Sequence, residues 1–146
     1  MVTISWITDN IAVSGFFAEE DIYQLKQEGI EAIVDLRSEY RDNVKLIEEL
    51  CIQFLHIGVD DRYSPTFEQL EEIFHFVEPF LDSNKKILIH CQNGCGRAPL
   101  VIIAILAKRG MQIADAVSLV EEKNPTTGFT QDQDKFIYTE LKGFLK

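Results

Sequence analysis

The sequence predicts an α/β fold in which a central, mostly parallel sheet is flanked by helices. Short runs of mostly apolar residues occur at 32–36, 52–56 and 86–89, and helical patterns separate them. Strands that alternate with helices pair in parallel and bury both faces of their sheet. A length of 146 residues suits one domain, so we expect a single domain over residues 1–146.

The first half of the chain alternates between predicted strands and helices. Acidic residues occupy the first turn of the first helix and Gly29 follows its last turn, as favours a helix between them. The predicted elements are a hairpin of residues 4–7 and 11–13 turning at Asp9-Asn10, a helix over 18–28, a strand over 32–36, a helix over 44–50 and a strand over 52–56.

The second half begins with a predicted loop over 58–65. Ser64 is the expected cap of the next helix and Pro65 its first residue, while Pro79 should end or kink that helix near its C-terminus. The remaining elements are a strand over 86–89, a helix that closes at Gly110, helices over 113–123 and 132–144, and a turn over 124–128 between those two helices.

Composition narrows the classes of function. A formal net charge of −10 argues against general binding of nucleic acid or of an anionic membrane surface. No apolar run approaches the ~20 residues of a membrane span, and the start of the chain lacks a basic secretory signal. Cysteines 51, 91 and 95 do not form a disulfide framework. We expect a cytoplasmic protein.

Residues 90–97 carry the chemistry. Cys91 and Arg97 enclose five residues, two of which are glycines, between a predicted strand and a predicted helix. Such a loop can curl its amides around an anion, and the helix N-terminus stabilises both a phosphate dianion and a Cys91 thiolate. The predicted phosphate-binding residues are Gln92, Asn93, Gly94, Cys95, Gly96 and Arg97.

The segment His90 to Arg97 resembles the H-C-x5-R signature of cysteine-dependent protein tyrosine and dual-specificity phosphatases. The continuation Arg97-Ala98-Pro99 is similar to that of the phosphatases of regenerating liver, although residues 143–146 lack the prenylated cysteine of that subgroup. The resemblance implies hydrolysis of phosphoprotein or phosphopeptide substrates, on phosphotyrosine and with dual specificity as a further possibility, without a cofactor or metal.

A proton donor for the leaving oxygen must come from outside the loop, and the Asp60-Asp61 pair precedes Pro65 in a predicted loop. Adjacent carboxylates near a bound dianion disfavour each other's ionised forms, which keeps a proton available. The doublet resembles the general-acid loop of the regenerating-liver group, whose second Asp is the acid. Asp61 is therefore the expected acid and base, and Asp60 is the alternative.

The resemblance implies a two-step reaction. Cys91 attacks phosphorus while Asp61 protonates the leaving oxygen, and water that Asp61 deprotonates then hydrolyses the phosphocysteine. Arg97 is expected to hold the phosphoryl group bidentately. The three histidines are too scattered in sequence to indicate a metal site.

Supporting roles follow for three further residues. Relatives carry a hydroxyl at the position of Ala98 that helps the thiolate leave, so its absence should slow the second step. His90 corresponds to a structural residue that tunes the thiolate. Gln133 occupies the place of a glutamine near the site in the family, but Thr130 to Gln133 also reads as a capping box, which we favour.

Some alternatives stay open. Arg37, Arg41 and Arg62, all in predicted loops, either line the mouth of the site or are ordinary surface charges, which is the favoured reading. Cys95 either packs, as we favour, or traps an oxidised Cys91 as a disulfide. A low-turnover binding or regulatory protein that holds phosphorylated partners is the second functional hypothesis, and sulfur or arsenate chemistry is the third.

Overall fold

The computed structural model describes residues 1–145, so the predicted domain of residues 1–146 includes one residue, Lys146, outside the described part. A five-stranded sheet has the order β1-β2-β5-β3-β4, in which only the β1–β2 pair is antiparallel. The strands are β1 (Ile4–Trp6), β2 (Ile11–Ser14), β3 (Ile30–Arg37), β4 (Gln53–Val59) and β5 (Lys86–His90). The predicted mostly parallel sheet is confirmed.

Helices pack on both faces of this sheet. They are α1 (Asp21–Gln27), α2 (Val44–Glu49), α3 (Phe67–Asp82), α4 (Arg97–Lys108), α5 (Ile113–Lys123), α6 (Gln131–Lys135) and α7 (Leu141–Phe144). Alternate residues of β5 divide the core: Ile87 and Ile89 pack with the apolar residues of α3 and α4, whereas Leu88 packs with those of α1 and α2. This alternation follows from the two-residue period of a strand. No helix within residues 1–145 has both the length and the apolar character needed to span a bilayer.

The start of α3 differs from the prediction. Thr66, not Ser64, caps the helix, and Pro65 lies before the cap rather than in the first turn. Thr66 and Gln69 form a reciprocal capping box, which satisfies two backbone donors at once. Pro79 lies inside the helix, which continues to Asp82. The capping box of Thr66 and Gln69 is a stronger signal for the start of a helix than the proline at 65.

The predicted C-terminal helix over 132–144 is not continuous. Its first part, α6, opens with the capping box of Thr130 and Gln133 that the sequence predicted. A π-helical stretch, Phe136–Glu140, then separates α6 from α7. Gln133, the N3 residue of this capping box, is buried and so also faces the interior.

Candidate active site

The loop between β5 and α4 lies at the carboxyl end of a central strand, as predicted, and three of its carbonyls are held by groups outside it. Gln92 O accepts from Phe16 N–H at 2.8 Å, and Cys95 O accepts from Gly128 N–H at 2.9 Å. Gly94 O accepts from the Asn124 side chain at 2.9 Å. Three carbonyls of the loop are thus bound by groups outside it.

The opposite edges of these peptide units carry the amides. Within residues 1–145 the amides of residues 92–96 donate to no protein acceptor. Gly94 has a φ of +71°, and a Cβ there would lie 2.9 Å from the backbone of Ser14 and Gly15. Only glycine fits this position without strain. The loop is therefore curled with amides on its inner side, which is the arrangement of an anion site.

Cys91 lines a cavity of 190 Å³ although only 2% of its surface is exposed. The other residues around this cavity are Asp61, Arg62, Asn93, Cys95, Gly96, Arg97, Gly128, Thr130 and Gln133. The structure thus brings the predicted nucleophile, the predicted arginine and one of the two candidate acids around one small cavity.

Arg97 is buried, and its guanidinium is held by Glu39, a residue that the sequence analysis did not identify. Nη1 and Nη2 of Arg97 donate to Oε1 and Oε2 of Glu39, each at 2.8 Å, and Nη1 also donates to Val59 O at 2.8 Å. These bonds leave Nε–H and one N–H of Nη2 on the same edge of the guanidinium. That edge retains the geometry for a bidentate contact with phosphate.

This ion pair changes the proton affinity of both partners. The hydrogen bond from Arg97 lowers the pKa of Glu39 from its ordinary value of 4.5 to about 2. Burial acts to lower the pKa of Arg97, but its hydrogen bond to Glu39 and the nearby charges of Cys91, Glu39 and Asp61 raise it overall. Arg97 is therefore a permanent cation next to Cys91.

The two candidate acids occupy different positions. A carboxylate oxygen of Asp61 lies 3.6 Å from Nη2 of Arg97, and the side chain is 66% exposed at the cavity. Asp60 is exposed and is absent from the residues that line the cavity; its carbonyl accepts from Tyr63 N–H in a turn. Of the two, Asp61 is thus the residue that lines the cavity.

His90 is fully buried directly before Cys91. Its Nε2 lies 2.6 Å from Oδ2 of Asp42, and its ring packs 4.5 Å from the Phe17 ring, measured between centroids. A buried imidazole in such contacts has one fixed orientation. These contacts support the predicted structural role of His90.

The three arginines considered for the mouth have different positions. Arg37 differs from both expectations, a loop position and an ordinary surface charge. It is the last residue of β3 and is 4% exposed. Asp35 and Asp42 accept hydrogen bonds from its buried guanidinium. Arg41 is exposed and borders a separate cavity. Arg62 lines the candidate site, so one of the three does border the mouth.

One group of possible metal ligands occurs within residues 1–145. Asp35, Asp42 and His90 each bring one ligand atom within 4.8 Å of the others. The guanidinium of Arg37 already donates to both carboxylates. Arg37 therefore supplies the positive charge that a metal ion would bring there.

Gln133 has both of the roles weighed in the sequence analysis. It completes the helix cap with Thr130, and its Nε2 donates to Tyr63 O at 3.3 Å in the segment that carries Asp61. A Cβ on Gly96 would lie 3.1 Å from Gln133 Oε1, so this side chain also packs against the phosphate loop. Gln133 thus joins α6, the Asp61 segment and the loop.

Asn124 is a second residue that the sequence analysis missed. Its buried amide donates to Gly94 O and to Thr127 Oγ1, and its carbonyl oxygen accepts from Ser5 Oγ at 3.2 Å. The residue ends α5 beside a proline, where sequence reasoning indicated only a turn. Its side chain fixes the outer wall of the phosphate loop.

Comparison with known proteins agrees with this geometry. The family model described as "Polymorphic toxin system, DSP-PTPase phosphatase" matches residues 13–111. Among curated proteins, Protein-tyrosine-phosphatase IBR5 of Arabidopsis thaliana is 27% identical over 92 residues, which are 62% of this chain and 33% of that protein. Dual specificity protein phosphatase Mpk3 of Drosophila melanogaster is 26% identical over 107 residues, which are 72% of this chain and 26% of that protein. The chain thus spans a third or less of the length of these two relatives.

A solved structure matches nearly the whole chain. The crystal structure of Tk-PTP in the active form superimposes with a TM-score of 0.86 at 30% sequence identity, and covers 96% of each chain.

Proposed function

The chain belongs to the DSP-PTPase phosphatase family, and on that premise we propose that it is a phosphoprotein phosphatase acting through a phosphocysteine on Cys91. The proposal covers a single domain over residues 1–146. Arg97 binds the phosphoryl group, and Asp61 is the general acid and base.

One observation carries this proposal: the carbonyls of Gln92, Gly94 and Cys95 are bound outside the loop, while Cys91 and Arg97 line the cavity. Inward amides and a guanidinium beside a sulfur nucleophile stabilise the three equatorial oxygens of a phosphoryl group in transfer. The loop amides of residues 92–96 and the free edge of Arg97 supply these donors.

In the first step the sulfur of Cys91 attacks phosphorus and the bond from phosphorus to the leaving oxygen breaks. Asp61 gives its proton to that oxygen, so the alcohol or phenol leaves neutral. The exposed position of Asp61 at the cavity, 3.6 Å from Arg97, supports this role.

In the second step water attacks the phosphocysteine. Asp61, now a carboxylate, takes a proton from the water, and the phosphorus–sulfur bond breaks to give phosphate and the free thiolate. Ala98 offers no hydroxyl to the departing sulfur. We propose that this second step limits turnover.

The substrate class is phosphotyrosine in proteins, with phosphoserine and phosphothreonine admitted as well. The cavity is small, at 190 Å³, and the loop side chains Gln92, Asn93 and Cys95 are neutral. Neutral side chains provide no extra charge for polyphosphorylated inositol rings. The three free cysteines support a cytoplasmic location.

Hydrolysis of p-nitrophenyl phosphate tests the proposal. We expect turnover in the wild type, loss of it in Cys91→Ser, and a phosphorylated enzyme peptide containing Cys91 after acid quench. Cys51→Ser, which changes an exposed cysteine, is the matched control and should retain activity. Equal activity in Cys91→Ser and wild type would refute the phosphocysteine route.

A second candidate function is favoured by Ala98, which is fully buried beside Arg97. Relatives use a hydroxyl at this position to stabilise the thiolate, so its absence can slow formation of the phosphocysteine. A protein with so slow a first step can act mainly by holding phosphorylated partners. Tight binding of a phosphopeptide by wild type without measurable turnover would support this function over the enzyme.

A further inference from the structure

Arg37 lies at the centre of a buried polar network that reaches the phosphate loop. Its Nε and Nη2 donate to the two carboxylate oxygens of Asp35 at 3.0 and 3.2 Å, and Nη2 also donates to Asp42 at 3.0 Å. Its Nη1 donates to Gln92 Oε1 at 3.3 Å. Arg37 therefore contacts the residue that follows Cys91.

Asp42 reaches the residue on the other side of Cys91. Its Oδ2 lies 2.6 Å from His90 Nε2, and its backbone N–H donates to Asp35 Oδ2 at 3.0 Å. We call the set of Asp35, Arg37, Asp42, His90 and Gln92 the Arg37 network. Through its two arms it holds both chain neighbours of the nucleophile.

The network has the charge and burial of a fixed structure. Burial acts to lower the pKa of Arg37, but the hydrogen bond to Asp35 and the charges of Asp35, Asp42 and Glu39 raise it overall, so the guanidinium stays charged. Arg37 is 4% exposed and Asp35 is fully buried. A buried polar group that loses its hydrogen-bond partner cannot replace it with water, which costs free energy. The buried side chains of the network are therefore held in one arrangement.

We propose that Arg37 and Asp42 are positioning residues that fix the Cys91 sulfur in line with a bound phosphoryl group. The inference rests on the proposed function, because it gives Cys91 the part of nucleophile. Phosphate capture depends on Arg97 and the backbone amides of the loop, whereas Arg37 and Asp42 reach the loop region through the side chains of Gln92 and His90. Loss of the network should therefore affect the chemical step more than substrate binding.

Asp42→Asn tests one arm with little change of shape. The amide is neutral and can present only one acceptor oxygen, whereas His90 and Arg37 each require one. We expect kcat for p-nitrophenyl phosphate to fall about tenfold or more while KM changes less than about threefold. Alkylation of Cys91 by the anion iodoacetate should slow relative to alkylation of the exposed Cys51 in the same molecule.

Gln92→Met tests the other arm without altering the buried carboxylates, because it removes the acceptor of Arg37 Nη1 and keeps the length of the side chain. We expect a fall in kcat with little change in KM, and slower alkylation of Cys91 relative to Cys51, both smaller than in Asp42→Asn. Asp82→Asn is the matched control, since Asp82 pairs with Arg109 on the surface away from the loop. It should change neither kcat nor the alkylation rate.

The outcomes separate this inference from the proposed function. A wild type without turnover would refute the proposed function, and the ratio of Cys91 to Cys51 alkylation would still compare the variants. Asp42→Asn and Gln92→Met that fold, by circular dichroism, with wild-type kcat and wild-type alkylation ratios would overturn the positioning role. A rise in KM with unchanged kcat would also overturn it, because it would assign the network to phosphate binding.

Discussion

The Glu39 carboxylate holds both terminal nitrogens of Arg97 at 2.8 Å, although the two residues are 58 positions apart in the chain. The pair fixes the plane of the guanidinium and leaves its Nε edge for phosphate. A carboxylate this near a phosphate site also repels the phosphate. Glu39 therefore fixes the orientation of Arg97 but weakens the electrostatic attraction of the site for phosphate.

We expect Glu39→Gln to lower stability at neutral pH and to lose that effect in acid. The hydrogen bond from Arg97 depresses the pKa of Glu39 to about 2 in the folded chain, so its contribution is fully present above about pH 4.5. It disappears as the pH falls through about 2. The Glu39 side chain is 35% exposed, so water screens the ion pair. We therefore expect Glu39→Gln to lower the free energy of unfolding at neutral pH by about 1 kcal/mol.

Urea unfolding of wild type and Glu39→Gln at several pH values between 7 and 3 measures this difference. Glu71→Gln, on the exposed face of α3, provides the comparison for loss of a surface charge. A stability difference that stays constant down to acid pH would contradict the assigned ion pair.

Asp61→Asn should impair hydrolysis most for poor leaving groups. General acid catalysis is worth about 10²–10⁴ in rate, and a leaving oxygen that is stable as an anion needs less of it. We expect a large loss of kcat for phenyl phosphate and a smaller loss for p-nitrophenyl phosphate. Steady-state kinetics on the two substrates gives the ratio.

Asp60→Asn is the matched control, because it makes the same change one residue earlier. It should leave the ratio of the two kcat values near that of wild type. If Asp60→Asn instead reproduces the selective loss, the role of acid belongs to Asp60.

Much of the fold and of the loop could be predicted from sequence because the signals are local. The β-branched run before Cys91, the two glycines and the helix after Arg97 lie within a few residues of one another. The strand, loop and helix therefore follow from short-range rules. The Thr130 to Gln133 cap was predictable for the same reason.

The partners of these residues could not be predicted, because they come from distant segments. Glu39 reads as one more acidic residue after a strand until the fold brings it to Arg97. Asp35 did carry a signal, since a carboxylate inside the buried run Ala32 to Leu36 requires a partner. That signal indicated a buried cation, and Arg37 two residues later is that cation.

Asn124→Asp should weaken the phosphate loop from its outer side. The change removes both amide donors, leaves the buried Gly94 carbonyl without its partner, and places a negative charge beside it. We expect a loss of about 1–3 kcal/mol in unfolding free energy and weaker inhibition by inorganic phosphate. Asn84→Asp makes the same chemical change at an exposed site. Equal phosphate inhibition in Asn124→Asp and wild type would show that the loop holds its shape without this contact.

Ala98→Ser should accelerate the second step of the reaction. Ala98 is fully buried in the first turn of α4, directly after Arg97. A hydroxyl at this position can donate to the sulfur as it leaves phosphorus, and hydrogen bonds to charged groups are worth about 1.5–3 kcal/mol, or roughly ten- to a hundredfold in rate.

If breakdown of the phosphocysteine limits turnover of the wild type, rapid mixing with p-nitrophenyl phosphate shows a burst of nitrophenol equal in amount to the enzyme. The burst should shrink in Ala98→Ser as kcat rises. Ala104→Ser adds the same hydroxyl to a buried position farther along α4 and should change neither quantity. A burst and a kcat that both stay at wild-type values in Ala98→Ser would place the slow step elsewhere in the cycle.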